Sequence, residues 1–202
     1  MLIKHERLHP MENLWPPEDI EKAVETIRSG GIILYPTDTI WGLGCDATNA
    51  DAVARIYALK ERKAQNPLIC LVSSIEMLKE YADSIHPRVE TLLTIHERPL
   101  TIIYPSATAL PDIIKAEDGS AGIRVSKDQY CTTLIEKAGV PIVSTSANVS
   151  GSAFPSKFGE ITSQIFQGVD YICKYRQSDV FPATPSVVAT YNKRGDLDFL
   201  RT

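Results

Sequence analysis

Lys60-Glu61-Arg62-Lys63 puts three cations in four positions between an apolar helical pattern and the turn signal Asn66-Pro67, a candidate anion clamp. Residues 60 and 62 point away from each other on a continuing helix, so they converge only where the helix unwinds, as Asn66-Pro67 suggests. Unwound, the lysine acts as a point charge and the arginine as a planar fork, which suits phosphate. The competing reading is a basic last turn that complements a helix dipole. Ser144-Thr145-Ser146-Ala147-Asn148-Val149-Ser150-Gly151-Ser152 places six hydroxyl or amide side chains and a glycine in nine residues, either an ordinary turn or a set of neutral donors for phosphate or ribose. In Gly122-Ile123-Arg124-Val125 an arginine alternates with apolar neighbours. It is either a sheet-edge or surface arginine or a buried one, and a buried one needs an anionic partner such as a ligand carboxylate. Thr37-Asp38-Thr39 reads equally as an Asx or Ser/Thr turn and as a ligand contact.

Gly42-Leu43-Gly44-Cys45-Asp46-Ala47 formally matches G-x-G-x-x-A, but polar and turn residues separate it from the preceding apolar run and no acid ends a strand some 20 residues on, so the match is rejected. Glycines that permit tight turns are the better reading of Gly42 and Gly44. No P-loop, nucleophile elbow or H-E-x-x-H occurs, and His5, His9, His86 and His96 have no partner at motif spacing. Anion-binding side chains without a built-in nucleophile fit a transferase that binds a nucleotide and lets its substrate attack.

The elements that must position these residues read as alternating helix and strand. Pro16-Pro17 and the spacing of Ile20, Ala23, Val24 and Ile27 predict a helix over about 17 to 29. Short apolar runs predict strands at 32–35, 68–72, 100–104, 122–125, 141–144, 169–173, 186–190 and 197–200. Helical patterns pass through Val53, Ile56, Tyr57 and Lys60, follow Pro87 with Leu92 and Leu93, and pass through Leu134 and Ile135; a further helix is expected behind Ser156 as its cap. Such alternation argues for an α/β fold, and the crowded C-terminal strands for a mixed sheet.

At 202 residues, 44% hydrophobic and 23% charged, the composition is that of an ordinary globular domain, expected to span 1–202. The formal charge of -4 supplies no global positive field for a nucleic-acid backbone, so any anion site is local. Cys45, Cys70, Cys131 and Cys173 form no C-x-x-C pair and read as reduced, buried groups. Met1 to Trp15 lacks the apolar core of a secretory signal, and no apolar stretch reaches membrane-spanning length; a cytoplasmic protein without a membrane partner is expected.

In order along the chain, Tyr35-Pro36-Thr37-Asp38-Thr39 with Gly42-Leu43-Gly44, Lys60-x-Arg62 with Asn66-Pro67-Leu68, Pro99-Leu100-Thr101, Gly122-Ile123-Arg124-Val125 and Ser144-Thr145-Ser146-Ala147-Asn148 resemble the Sua5/YciO/YrdC family in its short form. The resemblance implies a single twisted mixed-sheet YrdC-like domain with helices around an open concave cavity. It implies synthesis of L-threonylcarbamoyladenylate and pyrophosphate from L-threonine, bicarbonate and ATP. Mg2+ would share the load, and a downstream threonylcarbamoyl-transferase complex would use the product to modify adenosine 37 of tRNA. By similarity, Lys60 and Arg62 are catalytic; with Asn66, Ser120, Ser146, Asn148 and Arg201 they hold ATP. Thr39, Arg124, Ser144 and Ser186 hold threonine, and no residue is assigned to a protein-held metal. Cys70-Leu71 stands where many members place histidine, Lys63 replaces a common proline, and Glu97-Arg98 stands where Trp-Pro-Gly often precedes Pro-Leu-Thr. Two alternatives stay open: a YciO-like paralogue with shifted substrate, and a non-catalytic module that binds nucleotide, tRNA or double-stranded RNA.

Overall fold

Strands whose side chains alternate between two faces, and helices with one apolar stripe, assemble into a nine-stranded sheet whose two faces are covered unequally. The computed structural model describes residues 14–63, 65–180 and 185–201. Along the chain lie α1 (Pro17–Arg28), β1 (Ile33–Pro36), β2 (Trp41–Gly44), α2 (Ala50–Leu59), β3 (Ile69–Val72), α3 (Ile75–Tyr81) and α4 (Pro87–Ile95). There follow β4 (Leu100–Tyr104), β5 (Ala121–Val125), α5 (Gln129–Ala138), β6 (Ile142–Ser146), α6 (Ser163–Gly168), β7 (Tyr171–Ile172), β8 (Val187–Tyr191) and β9 (Leu197–Arg201). Local chemistry sets several of the ends. Asn49 Oδ1 caps α2 by accepting from the Asp51 and Ala52 amides, both at 3.1 Å, and Asp128 caps α5 through the Cys131 amide at 3.0 Å. Gly139, with φ +75°, closes α5 in the left-handed region.

The strand order is β7-β1-β2-β6-β3-β5-β4-β8-β9, and the sheet is mixed, as expected. Adjacent strands pair antiparallel except at β1/β7, β3/β5 and β4/β8. On one face Leu34, Leu43, Cys70, Val72, Ile102, Ile123 and Val143 join a continuous apolar core with Val53 and Ile56 of α2, Leu78 of α3, Val89 and Leu93 of α4 and Ile165 of α6. On the other, Ile33, Tyr35, Leu71 and Ile142 pack on Ile20, Ala23 and Ile27 of α1 and on Leu134 and Ile135 of α5. These two helices cover only part of that face. Beyond them the register puts Gly42, Ser144, Ser146, Ile69 and Gly122 side by side on the same face, and there the floor of a cavity remains open.

Asp19 ties the covering layer down. Its carboxylate, on a residue 1% exposed, accepts from Tyr171 Oη at 2.7 Å, the Lys174 and Tyr175 amides at 2.8 and 3.1 Å, and Tyr130 Oη at 3.2 Å. One acid thus joins α1, α5 and the chain after β7, and four donors offset its desolvation.

Several expectations are corrected. Gly42 and Gly44 form no turn but lie in β2, because a glycine-rich strand lets its neighbours close in: a Cβ on Gly44 would sit 2.7 Å from Tyr35 Cε1 and 2.9 Å from Ile142 Cγ2. Ser156 caps no helix, since its amide and hydroxyl both donate to Glu160 Oε2 around a short 3-10 turn, Phe158–Glu160. The strand expected over 169–173 shortens to β7, and α3, capped by Ser74, went unread in the sequence. The four cysteines are free and buried, and no described helix is long and apolar enough to cross a membrane. His5 and His9 lie outside the described residues.

Gly44→Ala is expected to lower stability by about 1 to 3 kcal/mol through overpacking against Tyr35 and Ile142. Gly159→Ala, where an added Cβ meets nothing within 4 Å, is the control and should stay within about 0.5 kcal/mol. Urea denaturation midpoints of the two variants check this.

Candidate functional site

The uncovered part of the sheet is the floor of a hollow of about 190 Å³, open on one side. Gly42, Ile69 and the end of β6 (Ser144, Thr145, Ser146) belong to that floor, and the walls come from the β1–β2 loop (Thr37, Thr39, Ile40), the segment before β3 (Arg62, Pro67, Leu68) and Phe154 beyond β6. Arg124 rises from β5, and Pro185, Ser186 and Arg201 close the far side. Three arginines and six serine or threonine residues therefore line the hollow, and among the described residues no Asp or Glu does, the balance of an anion site.

Arg124 carries the strongest electrostatic demand. β5 lies between β3 and β4, so the sheet-edge reading is overturned and the side chain is 4% exposed. Its anionic partner is internal: Nη2 meets Asp38 Oδ1 at 3.1 Å. Burial pushes the Asp38 carboxyl above the usual carboxylate range, and Arg124 pulls it back only in part. Two demands stay unmet, because Arg124 Nε and Asp38 Oδ1 are both buried without a hydrogen-bond partner, the 3.1 Å contact being an ion pair without hydrogen-bond geometry. A buried polar group left without a partner is costly.

Thr37 performs the turn chemistry of its loop: Oγ1 donates to the Ile40 carbonyl at 2.7 Å and accepts from the Thr39 and Ile40 amides at 3.1 and 3.2 Å. The turn holds the Thr39 hydroxyl beside it, 3.0 Å away, and places Asp38 against Arg124. Across the hollow, Arg201 is fixed by Ser186, with Nε donating to its carbonyl at 2.9 Å and Nη2 to Oγ at 3.1 Å; Ser186 Oγ also meets Thr101 Oγ1 at 3.0 Å. Burial, and then the neighbouring Arg124 charge, pull Arg201 below its ordinary value, so two like charges face one space.

The Lys-x-Arg pair does leave the helix: α2 ends at Leu59 and Glu61 takes a left-handed φ of +51°. The two cations then part. Arg62 turns to the hollow, braced by Nε to the Asn66 carbonyl at 2.8 Å and Nη2 to the Pro67 carbonyl at 3.0 Å. Lys60 turns inward to 1% exposure, where Nζ donates to the carbonyls of Ser146 and Asn148, the latter at 2.6 Å, and lies 3.5 Å from Asn148 Oδ1. Asn148 Nδ2 donates to the Ser152 carbonyl at 2.6 Å, and the Ser150 amide to the Lys60 carbonyl at 2.8 Å. The residue thus joins the end of α2 to the polar loop after β6.

Of the residues expected from the sequence, Thr39, Arg62, Arg124, Ser144, Ser146, Ser186 and Arg201 line one hollow. Lys60 and Asn148 stand behind its wall, Asn66 is exposed at the Arg62 brace, and Ser120, just before β5, lies outside the lining, its amide donating to Asp118 Oδ1 at 3.0 Å. Missed in the sequence were Asp38 as the partner of Arg124, and Ile40, Ile69 and Phe154 as apolar lining. The demand of a buried arginine for an anion, set beside the acid in Thr37-Asp38-Thr39, was the available signal for the first.

The Sua5_yciO_yrdC family model, described as "Telomere recombination", matches residues 25–202. The chain belongs to this family. Among Sua5/YciO/YrdC members, a threonylcarbamoyl-AMP synthase of Xanthomonas euvesicatoria pv. vesicatoria (strain 85-10) is 35% identical over 136 residues, 66% of this chain and 73% of that protein. One from Halorhodospira halophila (strain DSM 244 / SL1) is 31% identical over 170 residues, 84% of this chain and 89% of that protein. The crystal structure of P. abyssi Sua5 complexed with L-threonine superposes with a TM-score of 0.82 at 29% identity over 90% of this chain; the chain spans about half of that protein, 53%. E. coli YciO shares the fold, with a TM-score of 0.79 at 24% identity over 93% of this chain and 91% of its own.

Burial, reinforced by the Arg62 charge, pulls Lys60 to about 7 from its ordinary 10.5. Between those values the unfolded chain holds a proton that the folded chain lacks, so this lysine makes stability rise with pH through that window. The stability difference between wild type and Lys60→Met should therefore grow in favour of wild type from pH 7 to pH 9.5. Buried thiols, common to both proteins, cancel in that difference, which urea denaturation at stepped pH measures.

Proposed function

We infer that this protein is a threonylcarbamoyl-AMP synthase, which makes threonylcarbamoyladenylate and pyrophosphate from L-threonine, bicarbonate and ATP. The observation that carries the reading is the buried, partly unpartnered Arg124 on the floor of a hollow flanked by Arg62 and Arg201. Such a hollow suits two anionic substrates side by side, an amino acid carboxylate at the floor and a triphosphate along the wall. Family membership and the named relatives support the same activity.

The threonine amine attacks the carbon of bicarbonate, and water leaves to give a carbamate. A carbamate oxygen then attacks the α-phosphorus of ATP, and pyrophosphate departs with the bonding electrons. No enzyme nucleophile takes part, so the chain supplies orientation, and positive charge where phosphoryl oxygens gain negative charge. Arg124 holds the threonine carboxylate, with the hydroxyls of Thr39, Ser144 and Ser186 around the amino acid's polar atoms. Arg62 and Ser146 face the phosphates, while Lys60 and Asn148 hold the loop that presents Ser146. Arg201 lies toward the adenosine end, and Asn66 supports Arg62. Mg2+ enters this scheme as the counterion that ATP brings. The setting is the cytoplasm, and the product passes to a tRNA-modifying transferase complex.

Pyrophosphate release should require threonine, bicarbonate and ATP together; release without threonine would refute the assignment. Arg62→Ala should slow it by about a hundredfold or more, as expected for a lost phosphate contact. Arg124→Lys keeps a charge beside Asp38 but loses the planar fork, so the KM for threonine should rise by about ten- to a hundredfold while the KM for ATP moves little. Steady-state kinetics with coupled pyrophosphate detection check all three.

A further inference from the structure

Ile40, Pro67, Leu68, Ile69, Phe154 and Pro185 are the apolar side chains of the hollow's lining, and one of them is anomalous. Phe154 is 47% exposed, and it belongs to no core cluster and no aromatic pair among the described residues. Phe158 and Phe166, by contrast, meet edge to face, and Phe158 also packs on Trp41. An aromatic ring left open to water inside a substrate cavity calls for a flat apolar partner. It stands on the segment that follows the phosphate-facing Ser146, and the chain between them is not loose. Lys60 Nζ grips the Ser146 and Asn148 carbonyls, Asn148 Nδ2 donates to the Ser152 carbonyl at 2.6 Å, and the Ser152 amide donates to the Val149 carbonyl at 3.1 Å. The ring is therefore carried by a braced loop rather than a free one. Arg201 lines the same cavity, so a flat planar cation and a flat aromatic both border it.

We propose that Phe154 is the nucleobase platform of this site: it stacks on the base of the bound nucleotide and sets the preference for a base-bearing triphosphate over bare polyphosphate. The inference rests on the synthase reading above and adds a residue to it. Stacking is indifferent to hydrogen-bonding pattern and grows with ring area, so purine nucleotides should bind better than pyrimidine ones.

The test is equilibrium binding by titration calorimetry on the full chain, without turnover, using ATP, CTP and inorganic tripolyphosphate. Phe154→Ala should weaken ATP about tenfold, the loss expected for one stacked base, and leave tripolyphosphate within about twofold. Phe154→Trp should hold ATP at wild-type affinity or tighter, and the ATP preference over CTP should shrink in the alanine variant. Unchanged ATP affinity in Phe154→Ala overturns the proposal. Equal weakening of ATP and tripolyphosphate also overturns it, because the loop rather than the base contact would then be at fault. Wild type that binds ATP no better than tripolyphosphate overturns the platform while leaving the phosphate site intact. Wild type that binds neither overturns the synthase reading itself, and the platform with it.

Discussion

A guanidinium in the middle of a sheet is tolerable only against an anion, and the pairing of Arg124 with Asp38 organises the site around that constraint. Asp38 reaches the arginine because Thr37 ties its loop into a turn after β1. β5 is central because β3 and β4 flank it. α1 and α5 stop short of the same face, so the charge opens on a hollow rather than into a core. One carboxylate meets only part of the guanidinium, and Arg124 Nε remains without a partner. The proposed substrate carboxylate would be the second anion beside this arginine.

The wall is organised differently from the floor. Arg62, Arg201 and the hydroxyls present donors to the hollow, and each guanidinium is braced by backbone carbonyls, so little order has to be imposed when an anion arrives. Lys60 works from behind, where its Nζ fastens the end of α2 to the loop after β6. The scheme needs no nucleophile on the enzyme: preorganised positive charge and fixed polar atoms suffice for a reaction in which one substrate attacks another.

Much of this was legible from residue order. The apolar runs located most strands, and the Asn66-Pro67 signal correctly ended α2 before Arg62. A buried Arg124 was read as needing an anion, but the sequence could not say that Asp38, 86 positions earlier, supplies it; only sheet order brings them together. Gly42-Leu43-Gly44 looked like turn chemistry because glycine permits turns, whereas here the missing Cβ lets Tyr35, Thr145 and Ile142 close over a strand. Lys60 and Arg62 looked like one clamp because spacing shows where two cations leave a helix and not which of them turns inward.

The central claim is that Arg124 holds the carboxylate of the amino acid. The most direct measurement is calorimetric binding of L-threonine against L-threoninol, which keeps the amine and both carbon substituents but has no carboxylate. The account predicts measurable binding of threonine, loss of most of that affinity for threoninol, and convergence of the two ligands in Arg124→Lys. Equal affinity for threonine and threoninol in the wild-type protein would contradict it.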